Sequence, residues 1–329
     1  MGNYNTILKK KVGSLVADID KMEWDSLLRS ITKGDIKALA RGISLIENNA
    51  EGYEDLMVAL PSNSSCRIIG VTGPPGSGKS TLTDALIEKL VADNKKTGVL
   101  CIDPSSPFNL GAVLGDRIRM SEWHNEPLVY IRSLASRGAL GGLNPKIIEI
   151  TEIMKASGFD YIIIETVGVG QSEIEIAGLA DMTVLVLVPE GGDDVQIMKA
   201  GIMEIADVFV VNKSDRPAAD TFAKNLLQMI PFGEAGTHPI PIIKTIASQK
   251  EGIDELYNFL SGPYKQIKKL HSWLMAERAF YLVQQRKMEG IDKALMAKEI
   301  NSLATEGKFN LYSYVQQYLA NMKNIAPAK

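Results

Sequence analysis

Residues Arg67–Leu90 read RIIGVTGPPGSGKSTLTDALIEKL, and this stretch decides the fold. Arg67–Thr72 is a short run rich in β-branched residues, the pattern of a buried parallel strand. Gly73-Pro74-Pro75-Gly76-Ser77-Gly78-Lys79-Ser80 follows and satisfies every fixed position of G-x-x-x-x-G-K-[ST]. Leu82, Leu86 and Leu90 then recur every fourth residue with Ile87 beside them, so the loop opens directly into an amphipathic helix. Glycines let successive backbone N–H groups curl around a di- or triphosphate, and the helix N-terminus adds partial positive charge. The phosphate-binding residues expected from this motif are Gly73, Pro75, Gly76, Ser77, Gly78, Lys79, Ser80 and Thr81. Lys79 is expected on the β- and γ-phosphates, and the Ser80 hydroxyl on Mg²⁺.

A length of 329 residues suffices for one large domain with helical appendages. An apolar content of 45% and a charged content of 23% are those of a soluble globular protein. Thirty-six basic against 39 acidic residues leave a net charge of −3 without a basic block, which argues against a nucleic-acid partner. Cys66 and Cys101 stand far apart beside apolar runs, as buried thiols of a reducing compartment do. The N-terminal residues lack the continuous apolar core of a signal peptide, and the longest apolar runs, such as Thr183–Pro189, are strand-sized. A cytoplasmic protein with no membrane association is expected.

Helical periodicity occupies residues 1–60, and Pro61-Ser62-Asn63-Ser64-Ser65 breaks it. Beyond the break, seven strand-like runs are separated mostly by helix-length connections: Arg67–Thr72, Gly98–Asp103, Leu128–Ser133, Tyr161–Thr166, Thr183–Pro189, Val208–Asn212 and Pro241–Thr245. That alternation predicts an α/β fold with a mostly parallel sheet covered on both faces. Ligands of such sheets lie at the carboxyl ends of the strands. After Gly262-Pro263 the pattern is wholly helical again. The expected organisation is an N-terminal helical segment (1–62), a nucleotide-binding domain (63–262) and a C-terminal helical segment (263–329). The last is either a tail packed on the core or a dimerisation arm.

Two further strand ends carry chemistry. Val208–Val211 leads into Asn212-Lys213-Ser214-Asp215, an N-K-x-D pattern. A carboxylate at Asp215 accepts from both the N1–H and the exocyclic amine of guanine, donors that adenine lacks. A site built on such donors rejects the analogue without them by roughly 10⁴–10⁵-fold. Asn212 and the stem of Lys213 frame the base. Tyr161–Ile164 leads into Glu165-Thr166-Val167-Gly168, where a G protein normally places D-x-x-G. The acid there holds Mg²⁺ through water, and the Gly168 amide senses the γ-phosphate. Asp103, at the end of another strand, and Asp116, in GDRIR, are further candidates for the waters of Mg²⁺. His124, His238 and His271 show no metal-binding spacing and read as surface residues.

The segments VTGPPGSGKST, IDPSSPF followed by LGDRIRM, IRSLASRGALGGL, IIIETVGVGQSE, DDVQIMKAGIMEIAD and VVNKSD resemble the MeaB/ArgK family of P-loop GTPases, the methylmalonyl-CoA mutase-associated proteins, over roughly residues 35–260. Departures are confined to loops: Asn109-Leu110-Gly111, Ala139, and Glu190-Gly191-Gly192. The resemblance implies a SIMIBI-type G domain and a homodimeric GTPase that uses GTP/GDP and Mg²⁺. It implies as partner an adenosylcobalamin-dependent acyl-CoA mutase, whose cofactor loading the GTPase gates and which it protects. It implies Asp103, Asp116 and Glu165 around Mg²⁺, with Lys79, Asp103 and Glu165 as the catalytic set. By the same resemblance the Ala247 amide serves the guanine O6, and loops 104–120, 165–175 and 190–200 are switches, with Asp193 and Lys199 responsive to the partner.

Turnover is expected to be slow in the isolated protein, since no internal arginine finger is evident; Arg117 or Arg137 could become one when a partner reshapes the loops. Three other readings stand beside this one, the first sharing the fold class and the second from a different class. A metal-insertion GTPase of the urease or hydrogenase type needs a Cys/His ligand set that Cys66 and Cys101 do not suggest. A nucleotide-dependent kinase of amino-acid transport proteins would use ATP, against the N-K-x-D pattern. A nucleotide-responsive scaffold would bind GTP and hardly hydrolyse it.

Overall fold

The computed structural model describes residues 23–61, 65–103, 120–136, 143–166, 172–189, 203, 206–229, 240–263, 268–288 and 290–325. Among these, seven strands form one sheet: β1 Arg67–Thr72, β2 Thr97–Asp103, β3 Val129–Ala135, β4 Tyr161–Glu165, β5 Met182–Leu187, β6 Val208–Val211 and β7 Ile242–Lys244. Their order is β3-β2-β4-β1-β5-β6-β7, and every neighbouring pair is parallel. The fold is the α/β P-loop architecture that the alternating pattern predicts. Strand ends differ from the sequence reading by one or two residues. β5, for example, stops at Leu187, ahead of Pro189, a residue with no N–H for the ladder.

The helices of this unit are α1 (23–32), α2 Ile36–Glu47, α3 Tyr53–Ala59, α4 Lys79–Ala92, α5 Ile147–Ala156, α6 Ser172–Leu179, α7 Ala219–Met229 and α8 Ile253–Ser261. Side chains alternate across a strand, and the buried ones sort accordingly. Ile69, Val71, Val99, Cys101, Ile163 and Val186 pack with Leu82, Leu86 and Leu90 of α4 and with α8. On the opposite face, Ile68, Leu100, Ile102, Ile162 and Ile164 pack with α2, α5 and α6. Asp35 caps α2 by accepting from Lys37 N and Ala38 N, and Leu39, Ile43 and Ile46 of that helix enter this same core.

The amino ends of three strands are fastened by one device. Asp160, Asp181 and Asp207 each precede a strand, and each carboxylate accepts a neighbouring strand's first backbone amides: Lys96 N at 2.8 Å, Ile68 N at 2.8 Å and Thr183 N at 2.7 Å. A one-residue slip of a parallel strand would turn its core side chains to the other face, so pins of this kind hold the register. At the same end, the guanidinium of Arg67 donates to the carbonyls of Leu260 and Gly262, closing the C-terminus of α8. Cys66 and Cys101 are buried free thiols, and burial pushes Cys66 up to about 12.

The chain divides into two compact units between Arg278 and Ala279, within α9 Lys268–Met288. The second unit contains α10 Lys293–Thr305 and α11 Leu311–Ile325. Among its described residues Tyr314 is buried, with its hydroxyl on Glu299 Oε2 at 2.7 Å and its ring against Phe309 and Tyr318. Phe280, Leu295, Leu311, Tyr312 and Leu319 are exposed. No helix of the described residues is long and apolar enough to cross a membrane.

Candidate nucleotide site

The phosphate loop is the turn between β1 and α4. Gly73 takes φ +142°, and a Cβ there would sit 2.1 Å from Val186 O on the adjoining strand. Gly78, the N-cap of α4, takes φ +91°, and a Cβ would meet Asn212 Nδ2 at 2.3 Å. Both positions therefore demand glycine on conformational and steric grounds. Lys79 is buried, and its Nζ lies on the Gly73 and Pro74 carbonyls at 2.9 and 3.1 Å, folded back over the loop. Pro75, Gly76 and Thr81 are exposed at the rim, and Ser77 is buried beneath it.

Strand parity puts two acids on the α4 face of the sheet. Asp103 and Glu165 end adjacent strands, on the face that carries Cys101 and Ile163 toward α4. Both are buried, and Ser80 Oγ donates to Glu165 Oε1 at 2.6 Å. A hydroxyl and two carboxylates are the hard oxygen donors that Mg²⁺ takes, with nucleotide oxygens and water completing its shell. Ser80, Asp103 and Glu165 thus fit that ion by donor chemistry. Among the described residues no three His, Cys, Asp or Glu side chains gather as a metal site. Asp116 and Gly168 lie outside the described residues, as do Arg117, Arg137, Asp193 and Lys199. His124 is exposed, while His238 and the side chain of His271 fall outside the described set.

The N-K-x-D segment is wired to the phosphate loop. Asn212, buried at the end of β6, donates through Nδ2 to Ser77 O at 2.9 Å. Its Oδ1 accepts from Thr245 Oγ1 and from Ala247 N, both at 3.1 Å. Lys213 has φ +57°, and its Nζ donates to Gly76 O at 2.8 Å. Ser214 N donates to Thr245 O at 3.0 Å, which seats the 212–215 turn beside the 245–247 segment. Asp215 is exposed at the end of that turn. The Ala247 amide is thus already engaged by Asn212.

Three hydroxyls in this region are not singled out by the sequence. Thr245 supports Asn212, and Thr72 and Thr166 bond to one another at 2.9 Å. Threonine is a common strand residue, so at a strand end it carries no signature of its own.

A family model described as methylmalonyl-CoA mutase-associated GTPase MeaB matches residues 39–299. The chain belongs to the MeaB family. It is a P-loop GTPase of that family. The chain is 41% identical over 297 residues to a protein of Pyrococcus abyssi, covering 87% of this chain and 89% of that one. It is 32% identical over 308 residues to GTPase ArgK of Escherichia coli, covering 90% and 91%. Among solved structures, a LAO/AO transport system kinase shares the fold with a TM-score of 0.62 at 23% identity, covering 91% of this chain and 97% of that one.

Proposed function

We propose that this member of the MeaB family binds GTP with Mg²⁺ and hydrolyses it to gate adenosylcobalamin loading into, and to protect, an acyl-CoA mutase of the methylmalonyl-CoA mutase type. The observation that carries the nucleotide half is the Asn212 bridge, which joins Ser77 of the phosphate loop to Thr245 and Ala247 of the base-side segment. The partner half is supported by the mutase association in the family's own description.

In this reading the Lys79 ammonium exchanges the Gly73 and Pro74 carbonyls for β- and γ-phosphate oxygens, and the amides of residues 76–80 surround the same oxygens. Asp215 accepts from guanine while Asn212 and Lys213 hold its loop. Ser80, Asp103 and Glu165 would hold Mg²⁺, which when bound neutralises charge building on the phosphate oxygens. Phosphoryl transfer to water needs little covalent chemistry, so positioning and charge carry the rate. Turnover of the isolated protein is slow and is raised by the mutase. The nucleotide-binding domain spans 63–262, preceded by the helical segment 1–62. The segment 263–329 is the dimerisation arm of a cytoplasmic homodimer, a role supported by the exposed Phe280, Leu295 and Tyr312.

The test is capture from cell extract by the full chain loaded with a non-hydrolysable GTP analogue. Recovery of a cobalamin-dependent mutase, with GTP turnover rising when that mutase is added back, is the expected result. Recovery of a nickel enzyme or of an amino-acid transport protein, with the mutase inert, would replace the partner assignment.

A further inference from the structure

The hydroxyls of Thr72 and Thr166 are 2.9 Å apart, and both residues are buried, at 0% and 2% exposure. Thr72 is the last residue of β1, directly before the phosphate loop, and Thr166 directly follows Glu165. Both ladders of β4 end at Glu165, opposite Val71 on one side and Cys101 on the other. Glu165 therefore occupies the last rung, where a strand frays most easily. Beyond it, Thr166 donates its amide to Val71 O at 3.0 Å and meets Thr72 side chain to side chain. The hydroxyl pair adds one rung to the sheet just past the acid.

Alternation along the strands gives the pair its meaning. Val71 and Glu165 face α4, so Thr72 and Thr166 face the opposite way, toward the core that holds Ile164. The threonines cannot touch an ion on the α4 face. They fix the backbone from which the Glu165 carboxylate reaches Ser80 at 2.6 Å. They also join it to the strand that launches the phosphate loop, so Glu165 and Ser80 are set in one frame from both sides of the sheet.

We infer that Thr166, held by the Thr72 hydroxyl, is a positioning residue that sets the affinity of the Ser80–Glu165 site for Mg²⁺. The inference rests on the assignment of Glu165 to Mg²⁺ made above. Supporting groups one step removed from a metal change its affinity by about 10–100-fold when lost. Valine keeps the shape of threonine and removes only the hydroxyl. Serine keeps the hydroxyl and removes only the methyl.

The experiment measures the Mg²⁺ concentration giving half-maximal binding of a fluorescent, non-hydrolysable GTP analogue to the full chain. Binding of the same analogue in EDTA serves as the metal-free readout. Thr166→Val is expected to raise the Mg²⁺ midpoint about tenfold while metal-free binding stays within about twofold. Thr166→Ser is expected to match the parent protein. The paired variant Thr72→Val with Thr166→Val leaves no orphan hydroxyl and is expected to show the same tenfold shift. That pair also carries the test should the single variant fail to fold. Glu165→Gln separates the two levels. If it leaves the midpoint unmoved, the Mg²⁺ assignment itself falls. If it moves the midpoint while the valine variants do not, or if the paired variant restores it, the positioning role alone is overturned.

Discussion

The two ends of the parallel sheet place similar chemistry to opposite purposes. At the amino ends, Asp160, Asp181 and Asp207 turn their carboxylates onto the amides of neighbouring strands. At the carboxyl ends, Asp103 and Glu165 are buried, Glu165 against Ser80 at the start of α4, and Asp215 is left exposed on its turn. A carboxylate whose acceptors are used by the sheet is a fastener. Glu165, by contrast, stands on the last rung of its strand and accepts from Ser80 at the start of α4. Position along the strand, rather than residue type or burial, separates the two roles.

That contrast breaks most readily at Asp215. In the proposed reading Asp215→Asn would remove two charge-assisted bonds to guanine, an expected loss of about 3–6 kcal/mol, or about 10²–10⁴-fold in GTP affinity. Xanthine nucleotides should gain in its place, because an amide donates to their 2-oxo group, and the melting temperature should not change. Competition binding of GTP and XTP measures this, and unchanged GTP affinity would remove Asp215 from the base site.

Asn212→Ala should act on both sides of the comparison at once. It deletes the bonds to Ser77, Thr245 and Ala247, at about 1 kcal/mol each, so about 3 kcal/mol of stability goes with it. For a unit of this size the melting temperature should fall by about 6–12 °C. GTP affinity should fall too, because the loops that receive base and phosphate lose their common tie. Calorimetric melting beside nucleotide titration reads both.

The amino-end fasteners give the smallest effect. Asp181→Ala or Asp207→Ala should each cost about 1–2 kcal/mol, seen in thermal unfolding, and leave GTP affinity within about twofold. A large change in nucleotide binding from either would show that the two ends are not separable.

The seven strands were legible because each is a short, largely apolar run, as in Val208–Val211 before the turn at Asn212. Their order across the sheet was not, because a parallel strand buried on both faces carries no local mark of its neighbours. β4 enters between β2 and β1, and that placement sets Glu165 opposite Cys101, two residues before Asp103 on the same face. The phosphate loop was legible for a steric reason: the backbone at Gly73 and Gly78 admits no side chain, so the sequence has no freedom there. The Thr72–Thr166 pair was not, since valine would serve the strand equally well and the bond exists only once two strands 94 residues apart are adjacent. Asp116 and Gly168 are legible as motifs and fall outside the described residues.

The Asn212 bridge has a metrical consequence. With one amide side chain holding both the floor of the phosphate loop and the segment at Ala247, the gap between the two is a fixed span, like the jaws of a caliper. In the reading proposed above, a nucleotide would be gauged by length as well as by the identity of its base. It would close on both jaws only by reaching across with base and phosphate chain together.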